Sequence, residues 1–265
     1  MKHNLRYVIF LISIYIISTI LGIYLFSYKS NKVEQTDSVV ENNEVRSKEA
    51  KVIDESYEKE KLNSEKDTIS DHHKIAYLTF DDGPSSNITP KILDILEENH
   101  INATFFITGE RAKNNKDIIK DIRLKKHSIG NHSYTHDFNI VYSSKENFKS
   151  EVESTERVLK GILGEDYKSD LFRFPGGSFE SYKDEYKDIL KDMNMKYIDW
   201  NALNGDSEYK NVPVEAQLQK IKETVLNKDR VIILLHDSSS KDTTVDALPD
   251  IIKYLKEQDF KFMIL

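Results

Sequence analysis

Ile75-Ala76-Tyr77-Leu78-Thr79-Phe80-Asp81-Asp82-Gly83-Pro84 decides the fold. An apolar, aromatic-rich run passes directly into two acids, a glycine and a proline, so a buried strand ends where a turn reaches solvent. About fifty residues later a second short run meets His132-Ser133-Tyr134-Thr135-His136. The same grammar recurs along the chain. Strands are predicted at 75–80, 103–107, 128–131, 171–173, 196–200, 231–235 and 260–264. Between them lie helical patterns with start signals: Thr89-Pro90 before 91–99, Ser144 before 145–163 and Pro213 before 214–226. Residues 246–257 carry Leu248, Ile251, Ile252 and Leu255 at helical spacing. Strand–helix alternation over about 190 residues predicts an α/β fold with a parallel sheet, and seven strands suit a distorted (β/α)7-type barrel.

The polar clusters share one rim of that sheet. Asp81-Asp82 follow the first strand, His132 and His136 the third, Arg173 the fourth, Asp206 the fifth and His236-Asp237 the sixth. Carboxyl ends of strands are where βα-barrels build active sites.

The 265-residue chain has more than this domain. Residues 7–26 form an uncharged apolar run, at 1.5 Å per residue about 30 Å long as a helix, the thickness of a bilayer core. A cleaved signal peptide competes with this reading, but the run is long for one and no small-x-small site follows it. We expect an uncleaved transmembrane signal anchor, with residues 1–6 cytoplasmic because Lys2 and Arg6 precede it. Residues 27–71 are dense in charge, with Tyr28 and Tyr57 their only aromatics, and read as a flexible linker, a helical stalk being the alternative. Residues 72–265 would be a monomeric catalytic domain. No cysteine is present, so disulfides contribute nothing, and the net charge of −7 excludes nucleic acid as the main partner.

Each cluster has a plain and a chemical reading. Asp81-Asp82 could be turn acids, yet adjacent carboxylates are costly unless a cation is near. One could bind a metal while its neighbour takes a proton from water. His132 and His136, four apart, would project from one side of a helical turn and share that ion. Two nitrogens and one oxygen with a position left open make a catalytic zinc pattern, and such an ion acidifies water and polarises a carbonyl. The Arg173 fork could hold Asp81 ionised, and the Gly176-Gly177 backbone could offer N–H groups to an oxyanion. His236 could protonate a leaving amine with Asp206 orienting it, while Leu234, on the same side, could floor a methyl pocket.

Together, Thr79–Gly83, His132–His136, Arg173–Gly177 and Leu234–Ser238, in that order, resemble the polysaccharide deacetylase family, carbohydrate esterase family 4, over residues 74–265. The resemblance implies Asp81 as catalytic base, Asp82, His132 and His136 as metal ligands, Arg173 as holder of the base, His236 as acid and Leu234 in the acetyl pocket. Two departures stand out. The aromatic usual after the third motif's proline is Gly176 here, which keeps the backbone donor but loses a wall. Asp199-Trp200 looks like the family's acid–tryptophan pair yet lies too far before His236, so Asp206 is taken as its support and Trp200 as a wall residue. The expected function is removal of N-acetyl groups from cell-wall glycan, foremost peptidoglycan N-acetylglucosamine, by a single-pass membrane enzyme facing a Gram-positive wall. Zinc is the metal expected. Alternatives are N-acetylmuramic acid, chitooligosaccharide or biofilm polymers as substrate, an O-acetyl xylan esterase, or a non-catalytic glycan-binding protein.

Overall fold

The computed structural model describes residues 74–265, so the expected anchor, its cytoplasmic end and the linker lie outside the described residues. Among the described residues no helix is long and apolar enough to cross a membrane. The strands are β1 (Lys74–Asp81), β2 (Thr104–Ile107), β3 (Ser128–Asn131), β4 (Leu171–Phe172), β5 (Lys196–Tyr197), β6 (Ala202–Leu203), β7 (Arg230–His236) and β8 (Phe260–Met263). The helices are α1 (Thr89–Glu98), α2 (Gly109–Asn114), α3 (Lys116–Leu124), α4 (Phe138–Val141), α5 (Lys145–Leu163), α6 (Asp184–Asp192), α7 (Val214–Val225) and α8 (Asp242–Glu257).

All strand pairs are parallel, in the order β5-β4-β3-β2-β1-β7-β6. β1 is central because it pairs along its whole length with β7 and shares its other edge between two strands. β8 takes Lys74–Tyr77 and β2 takes Thr79–Asp81. Among the described residues no ladder joins β5 to β6, so the sheet curls into a half-barrel that stays open there. Seven strands were expected and eight form: Ala202–Leu203 is too short to show a period, and the predicted 196–200 strand stops at Tyr197.

The two faces of β1 explain the site. Ala76, Leu78 and Phe80 turn outward into a core with Phe105, Ile233 and Leu235 and the apolar sides of α1, α7 and α8. Phe80 stacks on Phe105 at 5.1 Å. The alternate residues, Thr79 and Asp81, face the inside of the curl, because successive strand side chains point to opposite faces. Leu234 and His236 are their register partners on β7. A second core of Phe148, Phe172, Phe174, Tyr186 and Leu190 packs α5 and α6 under β4.

Candidate active site

The inside of the curl carries buried polar groups, most of them hydrogen-bonded to one another. Arg173, just past β4, is fully buried. Its Nη1 donates to Asp81 Oδ1 at 2.8 Å and to Thr79 Oγ1 at 2.7 Å, its Nε donates to the Ile198 carbonyl at 3.0 Å, and its guanidinium lies 4.1 Å from the Phe106 ring centre. A buried arginine fork pointed at one carboxylate fixes that carboxylate's place. Burial raises the Asp81 pKa above its ordinary value, with the charges of Arg173 and His236 opposing. That combination makes Asp81 a better base than an exposed aspartate.

Asp82 has φ +73, in the left-handed region, and both carboxylates reach His132 Nε2, Asp82 Oδ1 at 3.6 Å and Asp81 Oδ2 at 3.8 Å. Gly83 follows because a Cβ there would fall 2.1 Å from Asp237 Oδ2. Asp82 Oδ1 is buried with no hydrogen-bond partner, 3.2 Å from His136 Nε2 and 3.6 Å from His132 Nε2. The three donor atoms lie within 4.8 Å of one another. An orphaned carboxylate oxygen facing two imidazole nitrogens is a site that suits a divalent cation. The His132 Nδ1 donates to the Arg173 carbonyl at 2.8 Å, which leaves Nε2 as the lone-pair nitrogen. Burial and then His136 hold the His132 pKa down to about 3, so the ring is neutral and able to ligate.

The two histidines do not sit on a helical turn as expected. Residues 132–137 form a loop, and left-handed residues Ser133 (φ +64) and His136 (φ +60) fold it back so the rings come within 4.9 Å. Buried groups that the sequence reading passed over hold this loop. Glu151 Oε2, on α5, accepts from Tyr134 N, Thr135 N and Thr135 Oγ1, and Asn131 Oδ1 accepts from Ser133 N. The available signal was a glutamate inside the apolar stripe of Phe148, Val152, Thr155 and Leu159.

His236 ends β7 beside Asp81 in register. Its Nδ1 meets Asp206 Oδ1 at 2.7 Å, its backbone N–H donates to Asp206 Oδ2 at 2.9 Å, and Thr244 Oγ1 donates to that same oxygen at 2.9 Å. Burial pushes the imidazolium pKa down, but the Asp206 hydrogen bond and the charges of Asp206, Asp82 and Asp81 outweigh it, and the pKa rises to about 9. Asp199 is elsewhere: its carboxylate accepts from Ser178 N at 3.0 Å and Ser178 Oγ at 2.5 Å. Trp200 stands near Arg173, 5.8 Å from its guanidinium, and edge-on to Phe179 at 5.3 Å. Leu234 is buried at the register position of Thr79.

Phe174–Gly177 is a turn with Pro175 second, Gly176 third at φ +74, and Gly177 N–H donating to Phe174 C=O at 2.7 Å, the pattern of type II, which demands glycine third. The fully buried Lys183 clamps it, donating to the carbonyls of Pro175 at 3.1 Å and Gly177 at 2.6 Å, while Tyr142 Oη donates to Pro175 O at 2.8 Å.

Comparison with known proteins agrees with this geometry. Residues 68–198 match the family model described as polysaccharide deacetylase. The chain is 33% identical over 192 residues to a peptidoglycan-N-acetylglucosamine deacetylase of Bacillus cereus, covering 71% of this chain and 68% of that one. A carbohydrate esterase family 4 esterase of Streptococcus mutans superposes with TM-score 0.69 at 33% identity, over 73% of this chain and 86% of the other. A polysaccharide deacetylase of Bacillus cereus gives 0.65 at 31% identity, over 72% and 92%. With its donor triplet, its arginine-held carboxylate and its matches to both sequence and structure, the chain belongs to the polysaccharide deacetylase family, carbohydrate esterase family 4, metal-dependent hydrolases.

Proposed function

We propose that this chain removes the N-acetyl group from N-acetylglucosamine units of peptidoglycan, releasing acetate and leaving a free amine. The observation that carries the reading is the register pair Asp81 and His236, a raised-pKa carboxylate and a raised-pKa imidazole on neighbouring strands beside three metal donors. Asp82, His132 and His136 would hold a divalent ion, zinc by its two-nitrogen, one-oxygen donor set. Bound there, it supplies Lewis acidity to a water and to the acetamide carbonyl.

The protein's own groups do the rest. Asp81, ionised against Arg173, accepts a proton as the water oxygen bonds to the acetyl carbon. Gly176, third in its turn, offers a backbone N–H to the oxygen that gathers charge. His236 enters protonated, held so by Asp206, and gives its proton to the nitrogen as the C–N bond breaks. Leu234 lines the inner face two residues before that acid and would accept the methyl group. Trp200, beside Gly177 and Arg173, would wall the sugar from the β5 side of the opening. The apolar run at 7–26 and the charged stretch at 27–71 support a membrane-tethered enzyme searching a Gram-positive wall.

Digestion of purified peptidoglycan with residues 72–265, followed by mass spectrometry of the muropeptides, tests this. New free amines on glucosamine are expected, and Asp81→Asn should lose at least about a hundredfold in turnover while keeping its metal. Acetate released only from O-acetylated xylan, or an Asp81→Asn enzyme of full activity, would overturn it.

A further inference from the structure

The turn after β4 presents two peptide units to one buried cation. Lys183, in the short 3-10 helix Ser181–Lys183, is wholly enclosed, and its Nζ donates to the Pro175 carbonyl at 3.1 Å and the Gly177 carbonyl at 2.6 Å and pairs with Glu180 Oε2 at 3.0 Å. The rings of Tyr142 and Tyr182 lie 4.9 and 5.6 Å from it. An ammonium has three protons to place, and a buried one is tolerated where it meets partners of this kind. The Pro175 carbonyl also accepts from Tyr142 Oη at 2.8 Å, so both of its lone pairs are taken. Each carbonyl has an N–H at the opposite end of its own peptide. For Gly177–Ser178 that N–H, on Ser178, donates to the Asp199 carboxylate at 3.0 Å, so Lys183 and Asp199 stand at the two ends of one peptide dipole. For Pro175–Gly176 the N–H, on Gly176, has no acceptor among the described residues, and Gly176 is exposed. What this second peptide lacks is the negative partner that the first one has.

We propose that Lys183 is a positioning residue for the reaction: at the carbonyl end, together with Tyr142, it fixes and polarises the Pro175–Gly176 peptide so that the Gly176 N–H meets the negative charge gathering on the acetyl oxygen. A hydrogen bond accepted at the carbonyl draws electrons from the amide nitrogen and strengthens the donor at the other end. A charged donor is roughly twice as strong in this as a neutral one. Glu180, the counter-charge, is half-exposed and screened by water, so the buried ammonium sets the field at the turn. The acetamide oxygen is neutral when substrate binds and carries charge only as the water oxygen bonds to the acetyl carbon. The effect of Lys183 therefore falls on turnover and not on binding. This inference rests on the glycan-deacetylase reading and adds what tunes its oxyanion donor.

The test uses the full chain with Lys183→Met, which keeps the length of the side chain and removes the cation. Acetate release from the N-acetylglucosamine tetramer should show kcat about tenfold lower and KM within about twofold, a part of the hundredfold or more that a whole oxyanion donor contributes. Tyr142→Phe, which keeps the ring and removes one donor to the same carbonyl, should lower kcat about threefold, again with KM held. The peptide itself can be read, because Pro175-Gly176 is the chain's one Pro-Gly pair. Isotope labels at proline carbonyls and glycine nitrogens then give a single correlated NMR resonance, and its carbon and nitrogen shifts should both move upfield in the two variants, further in Lys183→Met. Wild-type kcat in both variants, or a raised KM with kcat preserved, would refute the inference and leave the deacetylase reading standing. Should Lys183→Met fail to fold, Tyr142→Phe decides: unchanged kcat and an unmoved resonance refute it. If the wild-type protein releases no acetate from any substrate, the deacetylase reading fails, while the resonance still decides whether Lys183 polarises this peptide.

Discussion

Asp206→Asn removes the negative charge facing His236 Nδ1, while its single amide oxygen, placed at the Oδ2 position, can still accept from the His236 backbone N–H and Thr244. The His236 pKa stands at about 9 against an ordinary 6.5, which at ~1.4 kcal/mol per pH unit is about 3 kcal/mol of preference for imidazolium. Remove the charge and what remains is burial, which pushes down, against the more distant Asp81 and Asp82, which push up. The pKa of His236 should therefore return to the ordinary range, and the alkaline limb of kcat/KM should move about two pH units toward acid. A bound cation would lower both enzymes' limbs together, so the displacement between them is the quantity to read. Stability gives an independent reading in metal-free protein. A histidine whose folded pKa is raised contributes stability that is complete below 6.5 and is lost as pH rises through about 9. The penalty for Asp206→Asn in urea denaturation should accordingly be about 3 kcal/mol near pH 6 and shrink toward pH 10. Asp199→Asn should leave the limb in place, since Asp199 bonds Ser178 instead. An unmoved limb in Asp206→Asn, or an equal displacement in Asp199→Asn, would refute the reasoning.

Two further outcomes are expected. His132→Ala and His136→Ala should each reduce bound metal by tenfold or more in elemental analysis after dialysis, as two donors remain where three converge; unchanged metal content would remove them as ligands. Asp237 is fully buried, and burial, with the charges of Asp82 and Asp81 adding and the Thr89 hydrogen bond opposing, raises its pKa to about 7. An acid with a raised folded pKa binds more protons folded than unfolded, so metal-free protein should lose stability as pH climbs from 3.8 to about 7, and Asp237→Asn should flatten that fall in a series of denaturation curves; an unchanged slope would mean another group sets it.

Much of the fold was legible because a strand buried on both faces is apolar along most of its length, as residues 75–78 of β1, 105–107 of β2 and 231–235 of β7 are. The long helices were legible for the complementary reason, that α5 and α8 bury one stripe each over four or more turns. The elements that escaped are α2, α3 and α6, of six to nine residues, and two that are shorter still. α4 has four residues and β6 two, too few for any period, and tertiary contacts rather than pattern hold them. At the site, residue types and strand ends were readable, whereas the convergence of His132 on His136 was not. It depends on two left-handed residues and a glutamate seventeen positions beyond Tyr134, none of which a spacing rule contains.

The choice between Asp199 and Asp206 shows what a two-residue strand can decide. Asp199 lies two residues past β5, on one side of the opening in the sheet, and its neighbours there are Ser178 and the glycine turn. The chain then crosses that opening and pairs Ala202 with Ile233 and Leu203 with Leu234. Once that register is set, Asp206, three residues past Leu203, is delivered to His236, two residues past Leu234, and a bend of Asn204-Gly205 with Gly205 at φ +74 turns the carboxylate onto the imidazole. Asn204 is itself held by Gln217 of α7 at 2.8 Å, and its Oδ1 accepts from Asp206 N at 3.2 Å. The partner of the acid is thus selected by ladder register across the open side of the barrel. The tryptophan stays with the other strand, where it can wall the sugar while the aspartate that serves His236 comes from the next.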